Sequence, residues 1–198
     1  MAKTGQGSKV AGLDSIVTAL PREKGRLPPV EKWNPPFCGD IDMKIETDGT
    51  WLYQKTPIGR PALVKLFSGI LKREGDKYFL VTPVEKVGLT VVDAPFLAVE
   101  LKVEHAEDPI LAFRTNVDDW VEAGPGHALK FVTEPATGGL KPYVHVRRDL
   151  WAKVTRALFY DLVGLGEERD IAGKRMFGVA SKGEFFAMAE ASALKEFA

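Results

Sequence analysis

The sequence contains a single cysteine, Cys38, among 198 residues. One thiol cannot form an intrachain disulfide bond or supply a cysteine-based zinc site. So few cysteines are typical of a reducing compartment, and we therefore expect the protein in the cytoplasm. Because a nucleophilic thiol would need a nearby histidine, Cys38 is interpreted as a small residue leading into the first strand.

The sequence also lacks net charge and long apolar runs. Lys and Arg number 27, and Asp and Glu also number 27, which argues against bulk attraction to nucleic acid or to an anionic membrane. No apolar run reaches the roughly 18 residues of a membrane span. The polar, glycine-rich residues 1–10 do not have the pattern of a signal peptide. We expect neither nucleic acid nor a membrane as a partner, and the oligomeric state is left open.

The remaining composition is that of a globular chain, with 45% apolar and 27% charged residues. Near the N-terminus, apolar residues at helical spacing predict a short helix that ends at Pro21. They are Leu13, Ile16, Val17 and Leu20. Four prolines in 22–36 then predict a stiff, extended arm. Residues 1–36 are therefore interpreted as an N-terminal helix and a proline-rich arm.

Residues 37–107 are predicted to form a first α+β domain. Period-two alternation from Asp40 indicates a half-buried strand, and Asp48-Gly49 favours a hairpin turn after it. Apolar residues in 63–71 repeat at helical spacing, with Pro61 at the helix start. Three strands are expected next as an antiparallel meander, at 77–82, 86–92 and 96–103.

Residues 108–198 are predicted to form a second α+β domain, because the polar segment 105–109 ends in proline. A helix is expected from Asp149, as its N-cap, to about Val163. Strands are expected at 110–115, 128–133, 142–147, 175–180 and 184–189.

The two halves align with each other when Trp51 is set on Tyr143. Leu66-Phe67 then matches Leu158-Phe159 without a gap. Each half reads strand, helix, strand, strand, and we predict a structural duplication with mostly antiparallel sheets. Two similar halves would form a groove where they meet, and interfaces between domains often hold ligands.

Sequence motifs with a known chemical mechanism are absent. There is no phosphate-binding loop, no Gly-x-Ser-x-Gly and no His-Glu-x-x-His. Gly164-Leu165-Gly166 follows a helix and lacks the third glycine of a dinucleotide fingerprint. His105, His127 and His145 have no metal-ligand spacing. No catalytic residue, metal or cofactor is assigned.

The densest polar cluster is the segment 114–119, at the end of a predicted strand. Arg114 and Asn116 could hold a ligand there while Asp118 and Asp119 bind Mg²⁺ or a ribose hydroxyl. The alternative is a turn whose side chains cap the backbone.

Five further candidates lie near predicted strand and helix ends. Glu85 and Lys86 could grip an anion or act in acid–base chemistry, or they form an exposed ion pair. Arg60, at the start of the first helix, could bind phosphate or carboxylate. His145 and Arg147 are predicted to point the same way from their strand.

The sequence resembles a bacterial family called Domain of Unknown Function 1285, over roughly residues 33–188. The resemblance is carried by Gly39-Asp40-Ile41-Asp42-Met43, Asp48-Gly49-Thr50-Trp51, Pro57-Ile58-x-Arg60, Phe79-Leu80-Val81-Thr82-Pro83-Val84-Glu85-Lys86, Asp93-Ala94-Pro95-Phe96, Phe113-Arg114-Thr115-Asn116-Val117-Asp118 and Pro142-Tyr143-x-His145-Val146-Arg147. It implies two domains with repeated α+β motifs and a cleft between them. It also implies a role in signalling, with a nucleotide-like ligand in the cleft, and brings no catalytic residue.

We therefore expect a binding or regulatory protein for a small anionic ligand. Asn116 and His145 would orient the ligand, and positive charge would come from Arg60, Lys86, Arg114 and Arg147. One alternative is metal-assisted hydrolysis by Asp118, Asp119 and His145. Another is a protein-interaction module that recruits a partner through the proline-rich arm or an exposed strand edge.

Overall fold

The computed structural model describes residues 13–19, 27–104 and 107–194. Residues 22–26 of the predicted arm lie outside these ranges, and so do Leu20, Pro21 and His105. No helix within the described ranges has the length and apolar character needed to cross a membrane. The chain divides into two compact units, Met1–Val92 and Asp93–Ala198.

The described part of the first unit is a mixed sheet with two helices. The helices are α1 (Leu13–Ala19) and α2 (Pro61–Gly69), with a short 3₁₀ helix at Val30–Lys32. The strands are β1 (Phe37–Ile45), β2 (Trp51–Tyr53), β3 (Thr56–Pro57), β4 (Leu71–Glu74), β5 (Lys77–Val81) and β6 (Lys86–Val91). Their order is β3-β2-β1-β6-β5-β4. Only the β1–β6 pair among these described strands is parallel.

The core of the first unit follows from the alternation seen in β1. Ile41, Met43 and Ile45 are buried while the residues between them face outward. Helix α2 begins at Pro61, whose missing N–H needs no partner in the first turn. It buries Phe67, whose ring stacks on that of Trp51 at 6.4 Å between centroids. Strand β1 and helix α2 thus contribute to the same core.

The described part of the second unit contains two sheets and two helices. The elements are β7 (Phe96–Glu104), β8 (Ile110–Thr115), β9 (Trp120–Glu122), β10 (Leu129–Thr133), β11 (Leu140–Arg147), β12 (Leu150–Val154), α3 (Arg156–Gly164), β13 (Glu167–Ile171), β14 (Lys174–Ser181), β15 (Glu184–Glu190) and α4 (Ala191–Leu194). The larger sheet has the order β10-β11-β12-β7-β8-β9, and the smaller has the order β13-β14-β15. Strands β12 and β7 pair in parallel.

The larger sheet of the second unit is curved. A flat sheet of this size would separate its edge strands by roughly 24 Å. The edge strands β9 and β10 are joined by 123–128, in which Gly124 and His127 pair across a tight turn. This link is too short to span a flat sheet, and the two edges therefore approach each other.

The tip of the β14–β15 hairpin is fixed beside this curved sheet by Ser181. The Ser181 hydroxyl is fully buried, accepts the N–H of Leu111 at 3.0 Å and donates to the carbonyl oxygen of Ala123 at 2.7 Å. The next residue, Lys182, donates its N–H to the carbonyl oxygen of Pro109 at 2.9 Å. One side chain thus joins the hairpin tip, β8 and the link after β9.

The mostly antiparallel pairing matches the sequence prediction, but β1–β6 and β12–β7 pair in parallel, and strands dominate over helices. The helix predicted from Asp149 is wrong in its first part, because Leu150–Val154 is strand β12 and the helix begins at Arg156. In β12, Leu150, Ala152 and Val154 are buried on one face. Leu150 and Val154 are also spaced like apolar residues on one side of a helix, so the sequence pattern did not distinguish a strand from a helix here.

The predicted three-stranded meander in the first half is also wrong. Strand β6 pairs with β5 and β1, whereas β7 belongs to the sheet of the second unit. The units divide after Val92, earlier than the boundary expected near 107. The proline-containing segment before β8 joins β8 to its antiparallel neighbour β7. The polar, proline-containing composition that suggested a domain boundary therefore belongs to a loop between two neighbouring strands of one sheet.

The repeated order of elements is longer than predicted. In each unit a helix is followed by three antiparallel strands, α2-β4-β5-β6 in the first and α3-β13-β14-β15 in the second. When a gap is allowed in the alignment of the two halves, 78–81 matches 176–179, and both segments lie in the second of these strands. The sheets differ, because β6 joins β1 in a larger sheet whereas β15 ends a separate one.

We predict that Ser181→Ala destabilises the second unit by about 1–3 kcal/mol. The change leaves the N–H of Leu111 and the carbonyl oxygen of Ala123 buried without their partner. Urea unfolding of the full chain measures the effect. Ser192→Ala, at an exposed position in α4, serves as the control and should change stability by less than about 0.5 kcal/mol. Equal stability of the two variants would contradict the prediction.

We also predict that Gly178→Ala costs about 1–3 kcal/mol by overpacking. A Cβ atom at Gly178 would lie 2.2 Å from the carbonyl oxygen of Phe186, a backbone atom that cannot rotate away. Gly164, at the end of α3, has nothing within 4 Å of such an atom. Gly164→Ala should therefore be neutral or stabilising by up to about 1 kcal/mol. Thermal unfolding of both variants tests the contrast, which disappears if both lower the melting temperature equally.

Candidate functional site

The nine residues singled out in the sequence fall into both units. Arg60, Glu85 and Lys86 belong to the first unit. The second unit contains Arg114, Asn116, Asp118, Asp119, His145 and Arg147. Each group is considered within its own unit.

Arg60 occupies the N-cap position of α2 through its main chain. Its carbonyl oxygen accepts the N–H groups of Leu63 at 3.0 Å and Val64 at 3.2 Å. The side chain is exposed and makes no cap hydrogen bond. Arg60 thus begins the helix, as predicted.

Glu85 and Lys86 do not form an ion pair with each other. Successive side chains of a strand point to opposite faces. Lys86 binds Glu74 at 3.0 Å and lies over the ring of Phe79 at 4.9 Å, whereas Glu85 accepts a long hydrogen bond from Ser15 at 3.4 Å. Hydrogen bonds from Lys72 and Lys86 lower the pKa of Glu74. Lys86 therefore cross-links β6 to β4.

In the second unit, Arg114 and Asp118 bind each other within the predicted cluster. Arg114 donates to Glu100 at 2.7 Å and to Asp118 at 3.2 Å. Asp118 has a φ of 63°, and its N–H binds the carbonyl oxygen of Thr115 at 3.0 Å. Positive φ is tolerated by aspartate in turns. Asp118 therefore lies in a turn, where its side chain binds Arg114.

Asn116 extends the pairing of the neighbouring strand. Its side-chain oxygen accepts the N–H of Leu97 at 3.0 Å, and its own N–H donates to the carbonyl oxygen of Leu97 at 2.8 Å. The side chain therefore substitutes for a backbone acceptor at the end of β8.

Asp119 and Arg147 form an ion pair beneath the same turn. The Arg147 guanidinium donates to Asp119 and lies 4.8 Å from the ring centroid of Phe96. Only 11% of the Arg147 side chain is exposed. A β-bulge between His145 and Arg147 redirects the strand at this point.

Both ring nitrogens of His145 lie within hydrogen-bond distance of backbone carbonyl oxygens, which accept from whichever nitrogen carries a proton. Nδ1 is 3.2 Å from the oxygen of Gly126, and Nε2 is 2.6 Å from that of Arg148. The ring also lies edge-on to Trp151 at 5.1 Å. His145 therefore ties the link after β9 to the turn between β11 and β12.

These contacts do not assemble the metal site of the hydrolase hypothesis. Asp118 and Asp119 pair with different arginines, and both ring nitrogens of His145 face backbone carbonyl oxygens. In the described ranges no group of three or more His, Cys, Asp or Glu residues is placed to hold a metal ion.

A different group of residues lies together on the outer face of β10, β11 and β12. We call it the lysine–aromatic face and define it by Lys130, Lys141, Tyr143, Trp151 and Lys153. Their alternating neighbours, such as Val144 and Ala152, are buried on the inner face. Strand pairing sets Lys130 opposite Tyr143, and Tyr143 opposite Lys153. Side chains opposite each other across such strands lie within contact distance.

Asp93 anchors one end of this face. Its carboxylate accepts the Tyr143 hydroxyl at 2.7 Å and the Lys153 ammonium at 2.8 Å, and only 17% of its side chain is exposed. Burial alone would raise the pKa of Asp93, but the hydrogen bonds from Lys153 and Tyr143 and the charge of Lys153 hold it below its usual value. Burial and the Asp93 carboxylate raise the pKa of Tyr143. Tyr143 is therefore a fixed hydrogen-bond donor.

The other two lysines of the face, Lys130 and Lys141, lie close to aromatic rings and to a carboxylate, respectively. The Lys130 ammonium is 3.9 Å from the ring centroid of Trp151 and 5.4 Å from that of Tyr143. Lys141 pairs with Glu134, and that hydrogen bond raises the pKa of Lys141. The face thus combines three ammonium groups with two aromatic rings.

The sequence analysis missed this face for a reason of topology. Tyr143 lies in a motif that was noted, and Trp151-x-Lys153 has the spacing of a strand face. Asp93 is 50 residues from Tyr143 and 60 from Lys153. Only the parallel pairing of β7 with β12 brings Asp93 to them.

The fold and these surfaces define a class of two-domain, mostly β proteins with mixed and antiparallel sheets. The models of two family domains match the chain: the N-terminal domain of unknown function DUF1285 over residues 28–94, and the C-terminal domain of DUF1285 proteins of unknown function over residues 95–188. The chain therefore belongs to the DUF1285 family, as the sequence motifs predicted.

Two crystal structures of DUF1285 family proteins are similar to the chain. The protein from Silicibacter pomeroyi DSS-3 is 49% identical, with a TM-score of 0.84, over 93% of this chain and 98% of that one. The protein from Shewanella baltica OS155 is 30% identical, with a TM-score of 0.50, over 63% of this chain and 91% of that one. No curated protein matches the chain.

We predict that Asp93→Asn lowers stability at pH 7 and that the difference from the wild type shrinks below about pH 4. A carboxyl whose pKa is depressed by folding stabilises the native state above its unfolded pKa, about 3.9, and loses that effect as pH falls. Urea midpoints at pH 7 and pH 3 measure this. Asp42→Asn, at an exposed position of β1, is the control. A difference that does not change with pH would contradict the prediction.

Proposed function

We propose that this protein binds a small anionic ligand that carries a planar ring, such as a nucleotide, on the lysine–aromatic face. The observation that carries the proposal is the juxtaposition of Lys130 with the rings of Trp151 and Tyr143. The role is one of binding or regulation, in the cytoplasm. The single cysteine supports the cytoplasm as the compartment.

The charges of the face favour an anion. Lys130, Lys141 and Lys153 bring three positive charges, and Asp93 and Glu134 bring two negative ones. Each carboxylate is already bound by a lysine, so it offers little repulsion to a ligand. Phosphate oxygens would accept hydrogen bonds from ammonium groups, and such charge-assisted bonds are about twice as strong as neutral ones.

The aromatic rings favour a planar ligand. The Lys130 ammonium lies over the Trp151 ring, and such a contact contributes about 0.5–1 kcal/mol at exposed sites. A phosphate would accept charge-assisted hydrogen bonds from the Lys130 ammonium, and movement of that side chain toward the phosphate would uncover the ring for stacking. Stacking of a base on an aromatic side chain contributes about 1–3 kcal/mol. Ring and anion thus act together, and neither alone should bind well.

We predict that AMP, GMP or ADP raises the melting temperature, whereas the matching nucleosides do so much less. A ligand at 100 times its dissociation constant adds about 2.7 kcal/mol of stability. Lys130→Gln, Lys153→Gln and Trp151→Leu should each weaken nucleotide binding by about tenfold or more in isothermal titration calorimetry, because each removes one charge or one stacking ring.

Lys174→Gln provides the matched control for charge. Lys174 is an exposed lysine of the same unit that pairs with Glu190 on the smaller sheet. It should bind nucleotide like the wild type. The proposal is overturned if no nucleotide gives a thermal shift or heat of binding, or if Lys130→Gln and Lys174→Gln bind equally.

A further inference from the structure

A cavity of about 470 Å³ lies elsewhere on the second unit, beside β8 and β9. We call it the Trp120 cavity, and its lining consists of Ala112, Trp120, Val121, Glu122, His127 and Lys182. Its volume falls within the range of small-molecule sites. Trp120 is 44% exposed although it is a large apolar residue, so the indole offers an open surface.

Two tight turns position the polar residues of this cavity. Gly124 and His127 exchange backbone hydrogen bonds at 3.1 and 3.0 Å, which closes the turn that carries the His127 ring. A Cβ atom at Gly124 would lie 3.0 Å from Cβ of Lys182, so the absence of a side chain lets the two segments approach closely. The neighbouring residue Ser181 holds the position of Lys182 through its hydrogen bonds to Leu111 and Ala123.

The hydrogen bond of His127 determines which ring nitrogen carries the proton. Nδ1 is 3.0 Å from the carbonyl oxygen of His145, which can only accept. Nδ1 is therefore the donor, and in the neutral imidazole Nε2 is left as an acceptor. Within the part of the chain that the structure describes, no hydrogen bond to Nε2 is formed.

The charges of the cavity are already neutralised. Lys182 binds Glu122 at 2.8 Å, and this hydrogen bond and its charge lower the pKa of Glu122. Lys102 covers part of the Trp120 ring, at 4.3 Å from the centroid. The cavity thus offers an aromatic surface and a hydrogen-bond acceptor, with no uncompensated charge from the Lys182–Glu122 pair.

We propose that the Trp120 cavity binds a neutral planar ring that bears a hydroxyl or N–H donor. The ring would pack on Trp120, and its donor would bind Nε2 of His127. This site is separate from the lysine–aromatic face and takes an uncharged ligand, so neither proposal depends on the other.

Phenol and anisole test the proposal, because anisole has a similar ring but no donor. Phenol should bind the full chain at pH 8 at least about tenfold more tightly than anisole, since it alone satisfies the imidazole acceptor. His127→Asn keeps a donor near the carbonyl oxygen of His145 but removes Nε2. It should abolish the preference for phenol, and Trp120→Leu should weaken both compounds by about tenfold.

Trp33→Leu, at a half-buried position in the first unit, is the matched control for the loss of an indole and should leave phenol binding unchanged. A second measurement covers the case in which a variant fails to fold. In wild-type protein, the Nε2 resonance of His127 should move with phenol and not with anisole in ¹⁵N NMR. Equal binding of phenol and anisole, or an unchanged Nε2 resonance at millimolar phenol, overturns the proposal.

Discussion

The second unit depends on one buried hydroxyl, that of Ser181. Its two hydrogen bonds hold the β14–β15 hairpin against β8 and against the link that follows β9. That link contains the turn that carries His127, and it supplies a carbonyl oxygen that binds His145. Because one residue satisfies backbone groups from two segments, the curvature of the sheet and the positions of both histidine rings are coupled. Such buried hydrogen bonds add only modestly to the free energy of unfolding, but leaving a buried donor or acceptor without a partner lowers it considerably.

Charged residues in the second unit include some that hold a turn together and others that lie beside aromatic rings on the face of a sheet. Two ion pairs lie within or beside one turn, Arg114–Asp118 and Arg147–Asp119. These charges stabilise the local structure of the turn. The lysines of the lysine–aromatic face instead lie on rings or on carboxylates at the surface of a sheet. Two aromatic rings lie beside the Lys130 ammonium in this face. This difference, rather than the number of charges, selects the candidate site.

Much of the secondary structure could be predicted from the sequence, and little of the candidate site. Strand β8 was predicted at its observed bounds, because Leu111 and Phe113 alternate with half-exposed residues. Strand β12 was not predicted, because the spacing of Leu150 and Val154 fits both the period of two in a strand and the period of 3.6 in a helix. The burial of Ser181 could not be read from a sequence in which Ser181-Lys182-Gly183 looks like an ordinary turn. Contacts that depend on how distant strands pair, as between Asp93 and Tyr143, carry no local signal.

The measurement that tests this account most directly is an NMR titration of the full, ¹⁵N-labelled chain with AMP. The account predicts that the indole N–H signal of Trp151 shifts together with the amides of β10, β11 and β12, whereas the indole signal of Trp51 in the first unit stays in place. Shifts confined to the first unit, or an unchanged spectrum at millimolar AMP, would contradict the claim that the lysine–aromatic face is the ligand site.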